Sequence, residues 1–328
     1  MINPIMLVLR SVSTEPEMIR AVFFRYAVIV ILFSIIGLSV YVLLKAAILR
    51  IVKKKSFAEQ RWILAAASVV VIVSISAAIY ALYIEPDWVK INCHSVTTSK
   101  WKSGRSLKIA HLSDLHAEKG SELRFSRALE AVKKEKPDLL VLTGDYDNES
   151  TPYSEQILGR FASALVKISP VFAVEGNWDT MKTLQLLEKS GARVLRNEAQ
   201  HLVIRDNSLV LVGSDSFRYD LLRRILRPDP SAFLIVVSHT PLLFEESASL
   251  GADLFLCGHT HGGQIQMPLI GTICPYYDII GKYQLGDYRY ESTTMIINGG
   301  LGMEGGSCVV RIRFGVRPDV GIVEIRGK

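Results

Sequence analysis

The sequence predicts an α/β fold for everything after residue 105, preceded by two apolar helices. Three observations carry this. Two uncharged apolar runs lie close together near the amino terminus. From Leu107 onward, short strand-like apolar runs alternate with segments of helical periodicity. Five of those strand-like runs stop at residues able to hold a metal ion.

The first apolar run is Tyr26 to Leu44, between Arg25 and Lys45; the second is Trp62 to Ile84, between Arg61 and Glu85. About 20 apolar residues cross a bilayer as a helix, so both runs are long enough. Neither has the flanks of a cleaved signal peptide. Residues 1–84 therefore read as a membrane anchor, with spans at about 26–44 and 62–84, and a phospholipid membrane is an expected partner. The link between the runs holds Lys45, Arg50, Lys53, Lys54, Lys55 and Arg61 against Glu59 alone, the pattern of a cytoplasmic loop. Arg10, Arg20 and Arg25 before the first run, and Lys90, Lys100 and Lys102 after the second, equal it in number. Charge thus leaves the sidedness open.

The chain of 328 residues carries a net charge of +6, which by itself invites a polyanionic partner. The excess is local. Residues 1–84 hold 9 basic and 3 acidic residues, and residues 85–328 hold 29 of each. Residues 85–328 have no basic surplus for a nucleic acid, and the positive charge belongs beside anionic headgroups. A content of 49% hydrophobic residues excludes a disordered chain, and four cysteines in this length exclude a disulfide scaffold.

Residues 85–105 read as a linker and 106–328 as one large domain. Strands are expected at Leu107–Leu112, Leu139–Leu142, Val171–Val174, His201–Ile204, Leu209–Val212, Phe233–Val237, Leu254–Cys257, Thr294–Ile297, Val309–Phe314 and Ile322–Ile325. Phe125, Ala128, Leu129 and Val132 mark one helix face, and Ile157, Phe161, Leu165 and Ile168 another.

The polar residues fall at the strand ends. The first strand runs into Asp114-Leu115-His116, the second into Gly144-Asp145, the third into Gly176-Asn177, a later one into His239, and the next into Gly258-His259-Thr260-His261. Ligands of open α/β sheets bind outside the carboxyl ends of strands. Asp114, His116, Asp145, Asn177, His239, His259 and His261 therefore converge on one crevice. Seven oxygen and nitrogen donors exceed one tetrahedral ion and suit two divalent ions sharing a carboxylate, with Mn favoured and Fe or Zn also compatible. The glycines at 144, 176 and 258 are expected to let the backbone turn sharply there. Any one of these motifs is ordinary turn chemistry; all five in order are not.

This order resembles the calcineurin-like metallophosphoesterase family, across about residues 107–326. The match is most specific in Gly258-His-Thr-His-Gly-Gly-Gln-Ile265, followed by Pro268 and Gly271. The tail Asn298-Gly-Gly-Leu-Gly302 with Arg311–Arg317 and Pro318 is similar to anchored or exported bacterial members. The resemblance implies a four-layer α/β/β/α sandwich and a phosphoric ester or anhydride hydrolase. One ion would take Asp114, His116 and His261, the other Asn177, His239 and His259, with Asp145 bridging. Asp114, Asp145, Asn177 and His239 would carry the catalysis. An intact donor set argues against a retired scaffold or lipid binder.

One position departs from the family. The usual Gly-Asn-His-Asp/Glu reads Gly176-Asn177-Trp178-Asp179 here, so Trp178 and Asp179 occupy the leaving-group position without the usual acid. Indole donates a hydrogen bond but is no usable acid. A phosphate leaving group, with a pKa near 6–7, needs little protonation, whereas an alkoxide does. A lipid A pathway relative that splits UDP-2,3-diacylglucosamine replaces the same His by Arg. The resemblance and the anchor together point to a lipid-linked nucleotide pyrophosphate. They also imply a bacterial inner-membrane protein whose active site faces the cytoplasm, where such precursors are made.

Smaller features carry less. Phe217–Arg227 is a basic amphipathic stretch, read as a core-facing surface helix ahead of a membrane-lying one. Tyr276, Tyr277, Tyr283, Tyr288 and Tyr290 could line a pocket or pack a loop. His111 reads as a core or supporting residue. The role of Asn148 against Asp147 is open, and Cys93, Cys257, Cys274 and Cys308 lack metal spacing.

Overall fold

A computed structural model describes residues 16–53, 61–102, 104–214, 219–226, 229–267, 271–272, 283–304 and 311–328. Helix α1 (Pro16–Lys53) contains the first apolar run and extends beyond it at both ends. Helix α2 (Arg61–Ile79) continues through a π turn, Tyr80–Ile84, and a 3-10 turn, Glu85–Asp87. Both helices are long and apolar enough to cross a membrane and are almost entirely uncovered: Trp62 is 74% exposed and Phe33 71%. Their buried positions are small, Ser39 and Ala67, as expected where apolar helices approach closely. Ser34, Ser39 and Ser74 each donate to the carbonyl four residues back, so these three hydroxyls are satisfied within their own helices.

The rest is built on two six-stranded sheets. The first contains β1 (Lys90–Thr98), β2 (Leu107–Leu112), β3 (Leu139–Leu142), β4 (Val171–Ala173), β5 (Arg193–Val194) and β14 (Asp319–Gly327), in the order β1-β14-β2-β3-β4-β5. The second contains β6 (Glu198–Ile204), β7 (Asn207–Ser214), β8 (Phe233–Ser238), β9 (Leu254–Cys257), β12 (Gly286–Tyr290) and β13 (Thr293–Ile297), in the order β12-β13-β9-β8-β7-β6. A two-stranded ribbon, β10 (Gln266–Met267) with β11 (Gly271–Thr272), follows the last ligand loop. The central strands of each sheet run parallel, so their carboxyl ends point one way.

Leu107, Ile109, Val141 and Phe172 of the first sheet meet Leu209, Leu211, Ile235 and Leu256 of the second in a closed inter-sheet core. The outer face of the first sheet is covered by α3 (Glu122–Glu135), α4 (Pro152–Val166) and α5 (Met181–Lys189), through Phe125, Ala128, Leu158 and Leu184. The outer face of the second is covered by α6 (Tyr219–Ile225) and α7 (Phe244–Ser249), through Leu222 and Phe244. This is the four-layer α/β/β/α arrangement the resemblance implied. Burying about 25 cal/mol per Å² of apolar surface on three successive interfaces gives the ligand loops a rigid base.

Two expected elements differ. The lead-in over residues 85–105 is no bare tether: β1 pairs in parallel with β14 along its whole length, and Trp101 is buried. The strand expected at Val309–Phe314 is not formed in its described part; Phe314 makes a single bridge to Ile265, and residues 309–310 lie outside the described residues. The described part of the 217–227 stretch, α6, is a surface helix with Leu222 buried and Arg223 paired to Glu246, while 217, 218 and 227 lie outside. Tyr283 and Tyr290 pack edge-on against Phe244, and Tyr288 against Tyr283. Tyr276, Tyr277, Cys274 and Cys308, and also Pro268, lie outside the described residues.

Candidate dinuclear metal centre

Five strand ends deliver seven donors to one pocket, in which Asp114, His116, Asp145, His239 and His261 are buried, His259 is half-buried and Asn177 is exposed. Asp114 and His116 follow β2, Asp145 follows β3, Asn177 follows β4, His239 follows β8, and His259 and His261 follow β9. Asp114, His116, Asp145, His259 and His261 all adopt positive φ, between 42° and 69°. Such a conformation costs about 1–3 kcal/mol per non-glycine residue and survives only where the surroundings over-determine it. Here they do. Asp114 N–H donates to Gly144 O, His116 N–H to Asp145 O and Ala117 N–H to Tyr146 O, at 2.8–3.0 Å. Within the second sheet, Gly258 N–H donates to His239 O at 3.0 Å; across the sheets, Leu301 and Gly302 N–H donate to Ser113 and Asp114 O at 2.9 and 2.6 Å.

The glycines work differently from expectation. Only Gly144 has a positive φ, 91°. Gly176 and Gly258 are required by close approach: a Cβ would stand 2.2 Å from Asp145 Oδ1 at the first and 1.8 Å from Ser113 Oγ at the second.

The donors form two triads, Asp114–His116–His261 and Asp145–His239–His259, each with its ligand atoms within 4.8 Å of one another. His116 Nε2 and His261 Nε2 converge to 3.1 Å, and Asp114 Oδ1 lies 3.3 Å from His261 Nε2. In the second triad His259 Nδ1 and His239 Nε2 are 3.1 Å apart, and Asn177 Oδ1 lies 2.9 Å from His239 Nε2. Asp145 Oδ2 faces both groups, 3.2 Å from His239 Nε2 and 3.8 Å from His116 Nε2. All seven predicted ligands are thus brought together, with Asp145 between the triads.

The surroundings aim the rings. His116 Nδ1–H donates to Asn148 Oδ1 at 2.8 Å, and His239 Nδ1–H to Thr143 O at 2.6 Å, leaving Nε2 of each toward the pocket. Asn148 is itself fixed by Met303 O at 3.0 Å, so it, rather than Asp147, supports the site. Asp147 instead accepts from Glu149 and Ser150 N–H in the following turn. Asp179 does not face the pocket. Its carboxylate accepts from the backbone N–H of Asp145, Gly176 and Tyr146 at 2.8–2.9 Å, locking two ligand loops to each other. Tyr146, fully buried, donates to Val174 O at 2.6 Å. Trp178 is 40% exposed; its ring stands edge-on to His116 at 6.3 Å and its indole N–H donates to Glu304 Oε1 at 3.3 Å. His111 lies behind the site, bonded to Thr143 Oγ1 at 3.0 Å.

Burial keeps His116 neutral, with its pKa lowered to about 4, and His259 to about 3; His261 is also driven well below its ordinary value by burial. Their lone pairs are available at neutral pH. Burial and the neighbouring Asp145 raise Asp114 to about 7, although His239 opposes this. Burial opposes ionisation of Asp145, yet the charge and hydrogen bond of His239 hold it below the usual carboxylate range. Burial likewise opposes a charged His239, but Asp145 and Asp114 lift it to about 10. A pocket that confines a proton between His239 and Asp145 is built for positive charge. Neutral imidazoles, two carboxylates and an amide oxygen, with pre-aimed Nε2 atoms, fit two divalent ions.

The comparisons agree with this chemistry. The family model described as calcineurin-like phosphoesterase matches residues 107–263, the stretch that carries all seven donors. Phosphodiesterase YaeI of Escherichia coli is 30% identical over 259 residues, covering 75% of this chain and 92% of that one. An uncharacterised metallophosphoesterase of Aquifex aeolicus is 31% identical over 267 residues, 75% of this chain and 95% of that one. The uncharacterised metallophosphoesterase YkuE of Bacillus subtilis is 30% identical over 261 residues, 75% and 89%. With its donors paired as two metal sites and these relatives aligned along nearly their whole length, the chain belongs to the calcineurin-like phosphoesterase family and is a metal-dependent phosphoester hydrolase.

Proposed function

We propose that this hydrolase is held in a bacterial inner membrane by α1 and α2, faces the cytoplasm, and cleaves phosphoanhydrides or activated phosphodiesters whose leaving group departs without a proton from the protein. The observation that carries the reading is Trp178. It stands beside His116 at the pocket mouth, and its one polar hydrogen is given to Glu304. Such a side chain packs against a substrate but protonates nothing.

Asp114, His116 and His261 would hold one ion, Asn177, His239 and His259 the other, with Asp145 available to both, and Mn would be the preferred metal. The ions supply Lewis-acid charge for the phosphoryl group and a water activated near neutral pH. The protein does the rest. Thr143 O and Asn148 orient two imidazoles, and Asp179 keeps the Asp145 and Asn177 loops in register.

The best single substrate is UDP-2,3-diacylglucosamine, giving UMP and 2,3-diacylglucosamine 1-phosphate. Its leaving group is a phosphate, and its acyl chains lie in the surface from which α2 emerges. A second reading, a membrane-anchored phosphodiesterase of other substrates, is favoured by the similarity to Phosphodiesterase YaeI of Escherichia coli. One experiment separates them: the full chain in nanodiscs with Mn²⁺ is offered UDP-2,3-diacylglucosamine and, separately, an aryl phosphodiester. Release of UMP supports the first reading. Aryl cleavage without UMP selects the second. In either case Trp178→His should accelerate poor leaving groups more than phosphate ones, and the opposite trend would refute the role given to Trp178.

A further inference from the structure

The end of α2 does not simply leave the apolar helix; it is packed into the wall of the active site. Arg313 N–H donates to Ala81 O at 3.2 Å. Gly315 N–H donates at 2.9 Å to Oε2 of Glu85, a residue only 1% exposed. Tyr80 meets Phe314 edge-on at 6.1 Å. One turn later Arg317 stacks over Trp88 at 4.1 Å and donates to Trp88 O at 2.8 Å.

The other side of the 313–317 segment touches one metal triad. The Arg313 guanidinium is fully buried and donates to the carbonyls of Gly299, Gly300, Gly302 and Val316 at 2.9–3.2 Å, and Nη2 lies 3.5 Å from His261 Nδ1. Gly300 is wedged between Arg313, Asp114 and His261: a Cβ there would stand 2.9 Å from Asp114 Cβ and 3.1 Å from His261 Nδ1. Phe314 exchanges backbone bonds with Gln264 and Gln266, in the loop that leaves His261. The path from Ala81 and Glu85 to Asp114 and His261 is therefore continuous. The bonds described for the second triad run elsewhere, to Thr143, Asp179 and the strand ends.

We propose that the carboxyl end of α2 is a positioning element for the Asp114–His116–His261 site, acting through Arg313, so that the seating of the helix in a membrane tunes occupancy of that one site. Arg suits the role because five donors in a planar fork hold several carbonyls at once, which a lysine ammonium does not reproduce. The positioning claim rests on the two-metal reading; the membrane clause rests also on α2 being a span.

The test is a Mn²⁺ titration of the full chain in nanodiscs, followed by calorimetry and by the spectroscopic signature of coupled Mn pairs, with activity set aside. In Arg313→Lys one of the two binding steps should weaken about 10- to 100-fold, the usual effect of losing a group that supports a metal ligand, while the other step holds. Glu85→Ala and Tyr80→Ala lie outside the pocket and should weaken the same step several-fold; they keep the test alive if the Arg313 variant does not fold. Tyr146→Phe should weaken the opposite step. Equal weakening of both steps, or unchanged binding with only a lowered melting temperature, overturns the proposal. The membrane clause is read separately, by repeating the titration in thin and thick bilayers. A step that shifts with thickness in the wild type and not in Glu85→Ala supports it. A step indifferent to thickness removes that clause and leaves the positioning role standing.

Discussion

The metal ligands announce themselves because they are chemically scarce residues at strand ends, whereas the residues that aim them look ordinary. Asn148 is a surface-type amide in sequence, yet its Oδ1 fixes the ring of His116. Asn148→Ala should weaken metal binding about 10- to 100-fold at the Asp114 site, read by competition against a chelator, with little change in metal-free stability. Asp179 was expected at the leaving-group position, and its carboxylate turns instead onto three backbone N–H groups. No sequence pattern reveals that, since two of the three partners come from a loop 33 and 34 residues earlier. His239 gives a pH prediction. In the metal-free protein it is raised to about 10 and so carries a proton at pH 7, and Asp114, raised to about 7, carries part of one. Metal binding needs both unprotonated, so loading releases protons and affinity rises with pH up to about 10. Calorimetry in buffers of different ionisation enthalpy measures the release; proton uptake would contradict the assignment.

At the scale of elements, the alternation of strands and helices was legible wherever a strand is buried on both faces. Leu107–Leu112, Leu139–Leu142 and Leu254–Cys257 appear where their apolar runs place them. Of the edge strands, β6 was expected in part, over His201–Ile204, whereas β1, β5 and β12 were not. β1 carries Asn92, His94, Ser95, Thr97 and Thr98, the composition of an edge, and only its pairing with β14 makes it a strand. The 311–314 segment has strand-like composition but spends its hydrogen bonds on the end of α2 and on Gln264. The loops between elements carry the strain of five positive-φ ligands, and Asp179 is the clamp that offsets part of it. Asp179→Ala leaves three N–H groups without that acceptor and should cost about 2–3 kcal/mol in urea unfolding of the metal-free protein. A change below about 0.5 kcal/mol would show that the clamp is dispensable.

At the scale of the molecule, charge and apolar surface divide along the chain. The net +6 sits in residues 1–84, and the catalytic part is balanced, so its attraction for phosphate would come from metal ions held at the two triads. Among the described residues of the two apolar helices, only 6% of each candidate span is buried, an apolar surface large enough to mark a membrane or protein contact. The protein should therefore remain with membranes through alkaline carbonate extraction, and its recovery in the supernatant would exclude spanning helices. Because Glu85 and Ala81 bond to the 313–315 segment, truncation at residue 85 cuts into the active-site wall, and activity assays belong with the full chain.

The central claim is that two ions share Asp145. The most direct measurement is metal content and aryl phosphodiester hydrolysis of the full chain, side by side for wild type and Asp145→Asn. Two ions per wild-type chain are expected, with loss of binding at both sites in the variant and a fall in hydrolysis of at least about 1,000-fold, roughly 4 kcal/mol of transition-state stabilisation. Full hydrolysis by the variant, or by wild type stripped of metal, would contradict it.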